Sequence, residues 1–455
     1  MDALFLSRCQ FALTSMFHYI YPPMSIGLGL ILIITEGLYI KTGKAHYKTM
    51  TKFLIKIFSL TFALGVATGL VQLFGFGTNW ASYSRFVGDV FGSALGAEGI
   101  FAFFLEAGFL GIVLFGWEKV SAKMHYFATI CVAAGAHFSA LWIVIANSWM
   151  QTPAGYRIEG SGASARAVVT NFWEMIFNPS SLDRVSHVII GCWLSGIFLT
   201  ISISAYYLLK KEHLSIARSL MKISLGLAAF VLTLQLISGD SSARVVAKYQ
   251  PAKLAAMEGV YKTEERTPAA ILGWVDEKNE KVVGLQIPGL LSLMTYRNMT
   301  TPVTGLDQIP QQDRPKVAIV FQTYHIMIYM WATMALLTLL AIYYYRKKRL
   351  EKKRWLLIAL TFSVLCPHIA NQVGWMTAEL GRQPWLVQGL LRTADGVSKS
   401  LNLYQVVLSL TLFFLIYCFL FALFIFLLNQ KIKDGPLGED ETPVYRSDAS
   451  IGKNR

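Results

Sequence analysis

The sequence predicts an all-α integral membrane protein, a bundle of about nine transmembrane helices. Of its 455 residues, 54% are hydrophobic and only 15% are charged, whereas a soluble domain carries about 25% charged residues. A helix needs about 20 mainly apolar residues to cross a bilayer, and nine runs meet that requirement. They lie near positions 10–39, 54–74, 92–117, 124–148, 185–209, 219–238, 317–345, 355–378 and 402–429.

The distribution of basic residues predicts the orientation of these helices. Lysines and arginines cluster in alternate loops, at 41–52, 119–123, 210–218 and 346–354, and such loops face the cytoplasm. With nine spans, the N-terminus is then outside and the C-terminus is cytoplasmic. The net charge of +14 therefore reflects membrane orientation and not nucleic-acid binding. Because no basic segment or cleavage site precedes the first run, we interpret that run as a retained helix.

The chain divides into four parts. Residues 1–238 carry helices 1–6, residues 239–316 form a long outer loop, residues 317–430 carry helices 7–9, and residues 431–455 form a disordered cytoplasmic tail. We expect a second outer segment, 149–184, to be irregular, and the string PAKLAAMEGVYKTEE to form a short amphipathic helix within the long loop. The five cysteines contain no C-x-x-C pair, which argues against a disulfide framework, structural zinc and covalently attached haem.

Two glutamates, Glu98 and Glu106, lie within the third apolar run. An ionisable side chain inside a membrane is costly and usually marks a proton path, a cofactor or a substrate site. In an α-helix the two residues are about 80° apart around the axis and ~12 Å apart along it, a spacing suited to passing protons inward. The alternative is that they are neutral carboxylic acids bonded to a neighbouring helix.

Several side chains that can bind haem iron are predicted to lie in one outer layer of the bundle. Imidazole, thioether and carboxylate are all haem-ligand types, although each residue alone is as easily explained as a packed or hydrogen-bonded one. His325 and Met327 are about 200° apart on a helix, so they cannot both bind one iron. The layer contains His18, Glu98, His187, His325, Met327 and Glu379, whereas His137 and His368 lie deeper.

The string WMTAELGRQPW at 375–385 is unusual at the end of a membrane helix. Pro384 stops a helix, and Arg382 can pair with Glu379 or with a haem propionate, since guanidinium matches carboxylate geometry. The alternative is an ordinary helix exit with interfacial aromatic residues.

Several strings together resemble subunit I of the cytochrome bd-type quinol oxidases, and the resemblance extends through nearly the whole chain. The most specific pair is KLAAMEG at 253–259 with GRQPW at 381–385. The other strings are SRCQFALTSMFHY at 7–19, FALGVATGLVQLFGFGTNW at 62–80, SALWIVIANSWMQTP at 139–153 and GD at 239–240.

The resemblance implies a role for each candidate residue. His187 and Met327 resemble the axial ligands of a low-spin haem b, and His18 and Glu379 resemble the proximal ligands of two high-spin haems. Glu98 resembles a residue at the oxygen-reducing haem, and a possible iron ligand. The remaining assignments are Glu106 and Ser139 to the proton route, Lys253, Glu258 and Asp240 to the quinol site in the loop called the Q-loop, and Trp375 and Arg382 to the haem pockets.

The resemblance also implies the activity, cofactors and partners. It implies a terminal oxidase of aerobic respiration in the bacterial cytoplasmic membrane, which reduces O2 to water, takes up cytoplasmic protons and releases quinol protons outside without pumping. The implied cofactors are two haem b and one haem d, which haem b can replace. The implied partners are a second large membrane subunit and a small single-span subunit. The Q-loop is of the short type, and His325 stands where the family often has Arg.

Two alternatives remain open from the residues. A haem-b electron-transfer subunit that passes quinol electrons to another enzyme would use His187 and Met327 but not His18, Glu98 or Glu379. A proton-coupled transporter would use Glu98 and Glu106, but such proteins often show inverted repeats, which this sequence does not display.

Overall fold

The computed structural model describes residues 2–436, most of which are helical. The helices are α1 Ala3–His18, α2 Tyr21–Thr42, α3 Ala45–Thr78, α4 Ala81–Phe86, α5 Gly88–Ala97, α6 Phe104–Phe115, α7 Ala122–Gln151, α8 Phe172–Ile176, α9 Ser181–Lys210, α10 Leu214–Tyr249, α11 Pro251–Glu258, α12 Leu290–Tyr296, α13 Val317–Arg346, α14 Arg354–Phe362, α15 Leu365–Leu380, α16 Thr393–Gly396 and α17 Leu403–Asp434. Three antiparallel hairpins accompany them, β1–β2 (Tyr156–Glu159, Arg166–Val169), β3–β4 (Ala269–Asp276, Lys281–Ile287) and β5–β6 (Trp385–Val387, Leu391–Arg392).

The prediction of a multi-pass helical membrane protein is confirmed. Within residues 2–436, eight helical segments are long and apolar enough to cross a membrane, the first of them formed by α1 and α2 together. The predicted third span, 92–117, differs: α5 and α6 are joined by a π-helix, Glu98–Phe103, so no uninterrupted α-helix covers it. The ninth crossing and the orientation of the termini stay predictions.

Two predicted spans contain a break in the helix. The first run divides between α1 and α2 at Tyr19–Ile20, just before Pro22 and Pro23 in the first turn of α2. The eighth divides between α14 and α15, just before Pro367 in the first turn of α15. Proline is tolerated in a first turn, where the backbone N–H has no helical partner, but it cannot continue a helix.

The segments between the spans are more ordered than predicted. The segment 149–184 is not irregular throughout, because it contains the β1–β2 hairpin and α8. The long loop starts later than residue 239, since α10 continues to Tyr249, and the predicted short helix lies at α11. The last helix ends at Asp434, four residues beyond the predicted boundary, and the rest of the predicted tail, 437–455, lies outside the described residues.

The centre of the bundle is formed by α2, α3, α7 and α9, and α2 and α9 approach each other most closely at two glycines. A Cβ atom on Gly27 would lie 2.5 Å from the carbonyl oxygen of Cys192 and 2.6 Å from the backbone nitrogen of Gly196. Small residues allow membrane helices to approach in this way. The large side chains around this crossing, Tyr21, Leu28, Phe53, Phe58 and Phe198, are fully buried.

Gly27→Ala is therefore expected to reduce strongly the amount of folded protein. The added methyl would meet backbone atoms of α9, which cannot rotate away as a side chain can, and overpacking of this kind costs about 1–3 kcal/mol or more. The measurement is the yield of monodisperse protein after solubilisation in mild detergent. The matched control is Gly226→Ala on α10, where a Cβ would meet nothing within 4 Å; equal yields would contradict the role of this crossing.

A buried pair of polar side chains, His125 and Glu36, joins α2 to α7 near the basic loops. Nδ1 of His125 lies 2.6 Å from Oε1 of Glu36, and both side chains are 1% exposed. Thr129 donates to the second carboxylate oxygen at 2.6 Å. Leaving one buried polar group without its partner typically costs about 1–3 kcal/mol, so this cluster fixes the helices at that end of the bundle. None of these residues stood out in the sequence.

Candidate functional site

His18 is held by α3 in a form that suits a metal ligand. Its Nδ1 lies 3.0 Å from the hydroxyl of Thr68. That hydroxyl donates its single hydrogen to the carbonyl of Leu64 at 2.7 Å, so it accepts a hydrogen from Nδ1. The lone pair is then on Nε2, and a ring fixed through its other nitrogen is the usual arrangement of metal-binding histidines.

His187, near the start of α9, lies against α10. Its Nδ1 is 3.2 Å from the hydroxyl of Ser238, and the amide nitrogen of Gln235 is 3.1 Å from each of the two ring nitrogens. Its Cε1 lies 3.8 Å from where a Cβ on Gly239 would be. The ring is thus oriented by polar groups of the neighbouring helix and has room beside it.

Met327 lies at the same level of the bundle as His187. The indole of Trp331 on α13 donates to the carbonyl of Leu232 on α10 at 3.1 Å, which aligns these two antiparallel helices. Met327 lies one turn before Trp331 on α13. Because the helices are antiparallel, this position is level with the part of α10 after Leu232, which contacts His187. The Met327 sulfur would lie 3.0 Å from a Cβ on Gly374, so it faces a position without a side chain on α15.

Glu379, whose side chain is 32% exposed, lies at the centre of a partly buried polar group, the Glu379 cluster, which consists of Asn147, Gln151, Arg184, Lys253, Glu379 and Arg382. Its carboxylate pairs with Arg382 and accepts hydrogen bonds from Asn147 at 3.0 Å and from Gln151 at 3.2 Å. Arg184 in turn donates to Asn147. Two guanidiniums therefore lie around one carboxylate, which leaves an excess of positive charge at this place.

Trp375 is part of the same pocket. Its ring lies 5.5 Å from that of Tyr19, edge to face, and the guanidinium of Arg184 lies 5.8 Å from its centroid. It links the end of α1, beside His18, to the Glu379 cluster. The predicted pocket residues Trp375 and Arg382 are therefore brought together with Glu379.

Lys253 belongs to the Glu379 cluster and is separated from Glu258, with which the sequence analysis paired it. Its side chain is 3% exposed, and Nζ donates to Gln151 and, at 2.8 Å, to Gln250. Burial and the guanidiniums of Arg184 and Arg382 hold the pKa of this ammonium well below its usual value, while Glu379 raises it. The pKa of Lys253 therefore depends on the charges around Glu379.

Glu258 forms a second buried group, the Glu258 cluster, with Tyr324 and His325 of α13. It is 6% exposed. Burial raises the pKa of its carboxyl, and the nearby His325 and a hydrogen bond from Tyr324 oppose that increase. The ring nitrogens of His325 lie 2.8 Å from the carbonyl of Phe321 and 3.0 Å from that of Ala270. Both ring nitrogens of His325 are thus next to backbone carbonyls, one of its own helix and one of β3.

Asp240 lies at the surface and joins neither cluster. It forms ion pairs with Arg244 at 3.0 Å and with Arg297 at 2.5 Å. Arg297 follows α12, so this pair attaches the long loop to α10. Its position favours a structural role over contact with a substrate.

Glu98 and Glu106 lie against adjacent turns of α7. Ser139 donates to Glu98 at 2.7 Å, and Glu106 packs on Gly135, where a Cβ would lie 2.9 Å from the Cβ of Glu106. The α-helical spacing expected from sequence does not apply, because the π-helix widens the turn that begins at Glu98. Such π-turns are frequent at functional sites.

Two predicted deep histidines have different surroundings. His137 donates from Nδ1 to Ala133 of its own helix at 2.7 Å and accepts from Trp193 of α9 at 2.8 Å, so both its nitrogens are engaged. His368 lies on α15, away from the Glu379 end of that helix. Neither contacts either cluster.

Sequence reasoning missed Arg184, Asn147, Gln151 and Tyr324. Arg184 had a usable signal, since it is a basic residue at the end of a span opposite to the basic loops, which is an exception to the charge bias. Asn147 and Gln151 are one turn apart on a helix, so both face the same neighbour. Tyr324 carried no signal, because its contact with Glu258 depends on how α11 packs on α13.

The residues of this half of the bundle fit haem. Among the described residues, none accepts a hydrogen bond from Nε of Arg184 or from Nε and Nη1 of Arg382, and haem propionates are carboxylates that guanidinium binds well. Along α15, which passes between α9 and α13, only Pro367 and Thr377 are buried, which indicates room around that helix. His18, His187 and Met327 supply imidazole and thioether groups, which are known ligands of haem iron, and Glu379 supplies a carboxylate.

Comparisons with known proteins agree with this arrangement. The family model described as cytochrome bd terminal oxidase subunit I matches residues 6–436. The chain is 34% identical to cytochrome bd-II ubiquinol oxidase subunit 1 of Escherichia coli, over 98% of this chain and 99% of that protein. It is 36% identical to cytochrome bd ubiquinol oxidase subunit 1 of Bacillus subtilis, over 96% and 94%. The solved bd oxidase of Geobacillus thermodenitrificans superposes with a TM-score of 0.88 at 29% identity, over 96% of this chain and 99% of that one.

Proposed function

The chain belongs to the family of subunit I of the cytochrome bd terminal oxidases, and from that premise we propose that it oxidises a membrane quinol and reduces O2 to water. The observation that carries this proposal is the position of α11 between the two clusters. One short helix presents Glu258 to Tyr324 and His325, and Lys253 to Glu379 and its arginines. A proton acceptor for quinol and a pocket for an iron cofactor are thereby joined through eight residues.

The proposed cofactor ligands follow from the positions of the side chains. His187 and Met327 would hold a low-spin haem b, and His18 and Glu379 would each hold a high-spin haem, with Glu98 beside the one that reacts with O2. Haem iron supplies the electron transfer and the oxygen chemistry. We propose that the protein holds two haem b and one haem d, and that a third haem b can take the place of haem d. Arg184 and Arg382 would bind propionates with their free guanidinium nitrogens.

In the quinol reaction Glu258 would accept the proton of a quinol hydroxyl. Its raised pKa brings it nearer to the operating pH, which is the condition for an effective general base. Tyr324 would hold its carboxylate in place. Lys253 was expected to bind a quinol oxygen, but its bonds to Gln151 and Gln250 favour a role in the Glu379 cluster. The ion pairs of Asp240 favour anchoring of the loop.

Protons for O2 reduction would come from the side of the basic loops, past Glu106 to Glu98. Glu106 is buried on α6, and Glu98 is bonded to Ser139, so each carboxyl can hold a proton next to a polar neighbour or the other carboxyl. Quinol protons would leave on the opposite side. Charge separation would then result from the separate positions of the two proton sites, and no pump is needed.

Gly135→Ala is expected to slow turnover about tenfold or more, because displacing a catalytic group by ~1 Å can cost up to a hundredfold. The added methyl would press on the Cβ of Glu106 and on the carbonyl of Ala102, 3.1 Å away. Steady-state rates should show a lower kcat, an unchanged KM for quinol and a larger solvent isotope effect. Gly111→Ala, also near this segment but with open space around it, is the control. A loss of kcat with no change in the isotope effect would argue against displacement of a proton carrier.

The family relatives are subunits 1 of oxidases, so a partner subunit is implied; we propose a second large membrane subunit and a small single-span one.

The deciding experiment purifies this complex, records its reduced-minus-oxidised spectrum and measures O2 uptake with a quinol. Haem bands together with quinol-supported O2 uptake would support the proposal. Haem bands without O2 uptake would favour an electron-transfer subunit, and a colourless preparation would favour a transporter.

A further inference from the structure

The β3–β4 hairpin of the long loop lies along the membrane helix α13 and is attached to it through its backbone. Gln322 donates to the carbonyl of Gly273 at 3.1 Å, and Tyr329 donates to that of Ile271 at 2.9 Å. Between them, His325 lies 3.0 Å from the carbonyl of Ala270. Three side chains on one face of α13 thus contact three backbone carbonyls of β3 at hydrogen-bonding distance. Backbone polar groups at membrane depth require such partners within the protein.

The same contacts give the depth of the hairpin relative to α13. This helix ends at Arg346, followed by further basic residues, which mark one membrane surface. A hydrocarbon core of about 30 Å takes about 20 helical residues, so its other boundary lies near residue 326. Tyr329, which binds Ile271, is inside that boundary. Gln322, which binds Gly273, is outside it.

The polarity of the hairpin follows the same gradient. At its tip the sequence 276–281 is DEKNEK, and Glu277 accepts from the backbone N–H of Ala318 at the start of α13. Trp274 lies two residues from the tip, towards the base of the hairpin, and is 61% exposed. Nearer the base are Leu272 and its cross-strand partner Leu285, which are 56% and 59% exposed, followed by Ile271 and Ile287, which are also exposed.

We propose that the β3–β4 hairpin inserts shallowly into the lipid leaflet on the side where α13 begins. Leu272 and Leu285 contact acyl chains, Trp274 lies among the headgroups, where tryptophan is enriched, and the charged tip is in water. The apolar face continues the exposed surface of α13, on which Ile319 and Ile328 are also exposed. This inference depends on α13 crossing the membrane and not on the proposed oxidase chemistry.

Lipid fits this face better than a partner protein does. The change from charged tip to Trp274 to leucine and isoleucine follows the axis of a membrane helix, which is the polarity gradient of a bilayer surface. The base of the hairpin binds His325 through Ala270, next to the Glu258 cluster. The base of the hairpin therefore contacts a member of that cluster directly.

The test attaches a nitroxide to a cysteine at position 272 or 285, with Lys278→Cys at the tip as the matched control. Leu272→Cys and Leu285→Cys are made separately, so that one remains if the other fails to assemble. The background replaces Cys9, Cys366 and Cys418, which are not buried, with serine. The complete complex is placed in lipid nanodiscs, and power saturation compares collisions with O2, which dissolves in lipid, and with a water-soluble Ni(II) chelate.

We expect O2 collisions to exceed Ni(II) collisions at 272 and 285 and the reverse at 278. Ratios at 272 and 285 equal to that at 278 would place the hairpin in water and overturn the proposal. Low collision with both reagents would also overturn it, because it would show that a protein subunit covers the face. Absence of quinol-supported O2 uptake by the unlabelled complex, together with the expected ratios, would contradict the proposed function alone.

Discussion

Replacing Glu258 with glutamine is expected to lower quinol oxidation by about a hundredfold or more, while an artificial donor that reduces the haems directly still supports O2 uptake. General-base transfer typically contributes 10²–10⁴-fold, and glutamine keeps the shape of the side chain but cannot accept a proton. The measurement is O2 consumption by the purified complex with each donor in turn. Equal losses with both donors would contradict a role at the quinol site.

The same variant should change the pH dependence. The base is the carboxylate, so quinol oxidation should rise as pH increases through the pKa of Glu258. Because burial raises that pKa, the acid limb of kcat/KM should lie above the ordinary glutamate value of about 4.3. In Glu258→Gln this limb should be absent, so the remaining activity should show no dependence on this group.

Two further variants separate the roles of the residues on and after α11. Glu265→Gln removes an exposed carboxylate from the same loop and should leave quinol oxidation unchanged. Lys253→Gln should alter the haem spectrum or the haem content, because Lys253 faces Arg184, Arg382 and Glu379, and it should leave the KM for quinol unchanged. A higher KM with an unaltered spectrum would return Lys253 to the quinol site.

The positions of the membrane helices could be predicted from sequence because burial in lipid is a local property of composition. Runs of apolar residues long enough to span a bilayer identify themselves, and the eight candidate spans coincide with such runs. The breaks before Pro22 and Pro367 were also visible in principle. The π-helix at Glu98 was not visible, because an added residue in one turn leaves an apolar pattern unchanged.

The candidate site was predicted less completely, because it depends on pairing between helices. The depth of His18, His187, Met327 and Glu379 follows from their positions along the spans. Their polar neighbours do not, since Thr68, Ser238 and Asn147 are common residue types whose contacts depend on helix rotation. Lys253 and Glu258 are an intermediate case. Five residues apart on a predicted helix, they are about 140° apart around its axis, so their separation could be predicted, but the cluster that each joins depends on how α11 packs.

Met327→Leu is expected to remove the spectrum of the low-spin haem while the protein still assembles. Leucine lacks the thioether sulfur that would bind iron, yet it has nearly the same volume, and such exchanges usually cost less than about 1.5 kcal/mol. The change affects one axial position only, since His187 is held independently by Ser238 and Gln235 of α10. The measurement is the reduced-minus-oxidised spectrum of purified protein together with its haem content.

The matched control is Met334→Leu, a buried methionine two turns further along the same helix. It makes the same chemical change and a similar change in packing, so it should leave the low-spin haem intact. If both variants lose the signal, packing of α13 and not ligation explains the loss. If neither loses it, Met327 is not the ligand, and the level that it shares with His187 would be a consequence of packing between α10 and α13 alone.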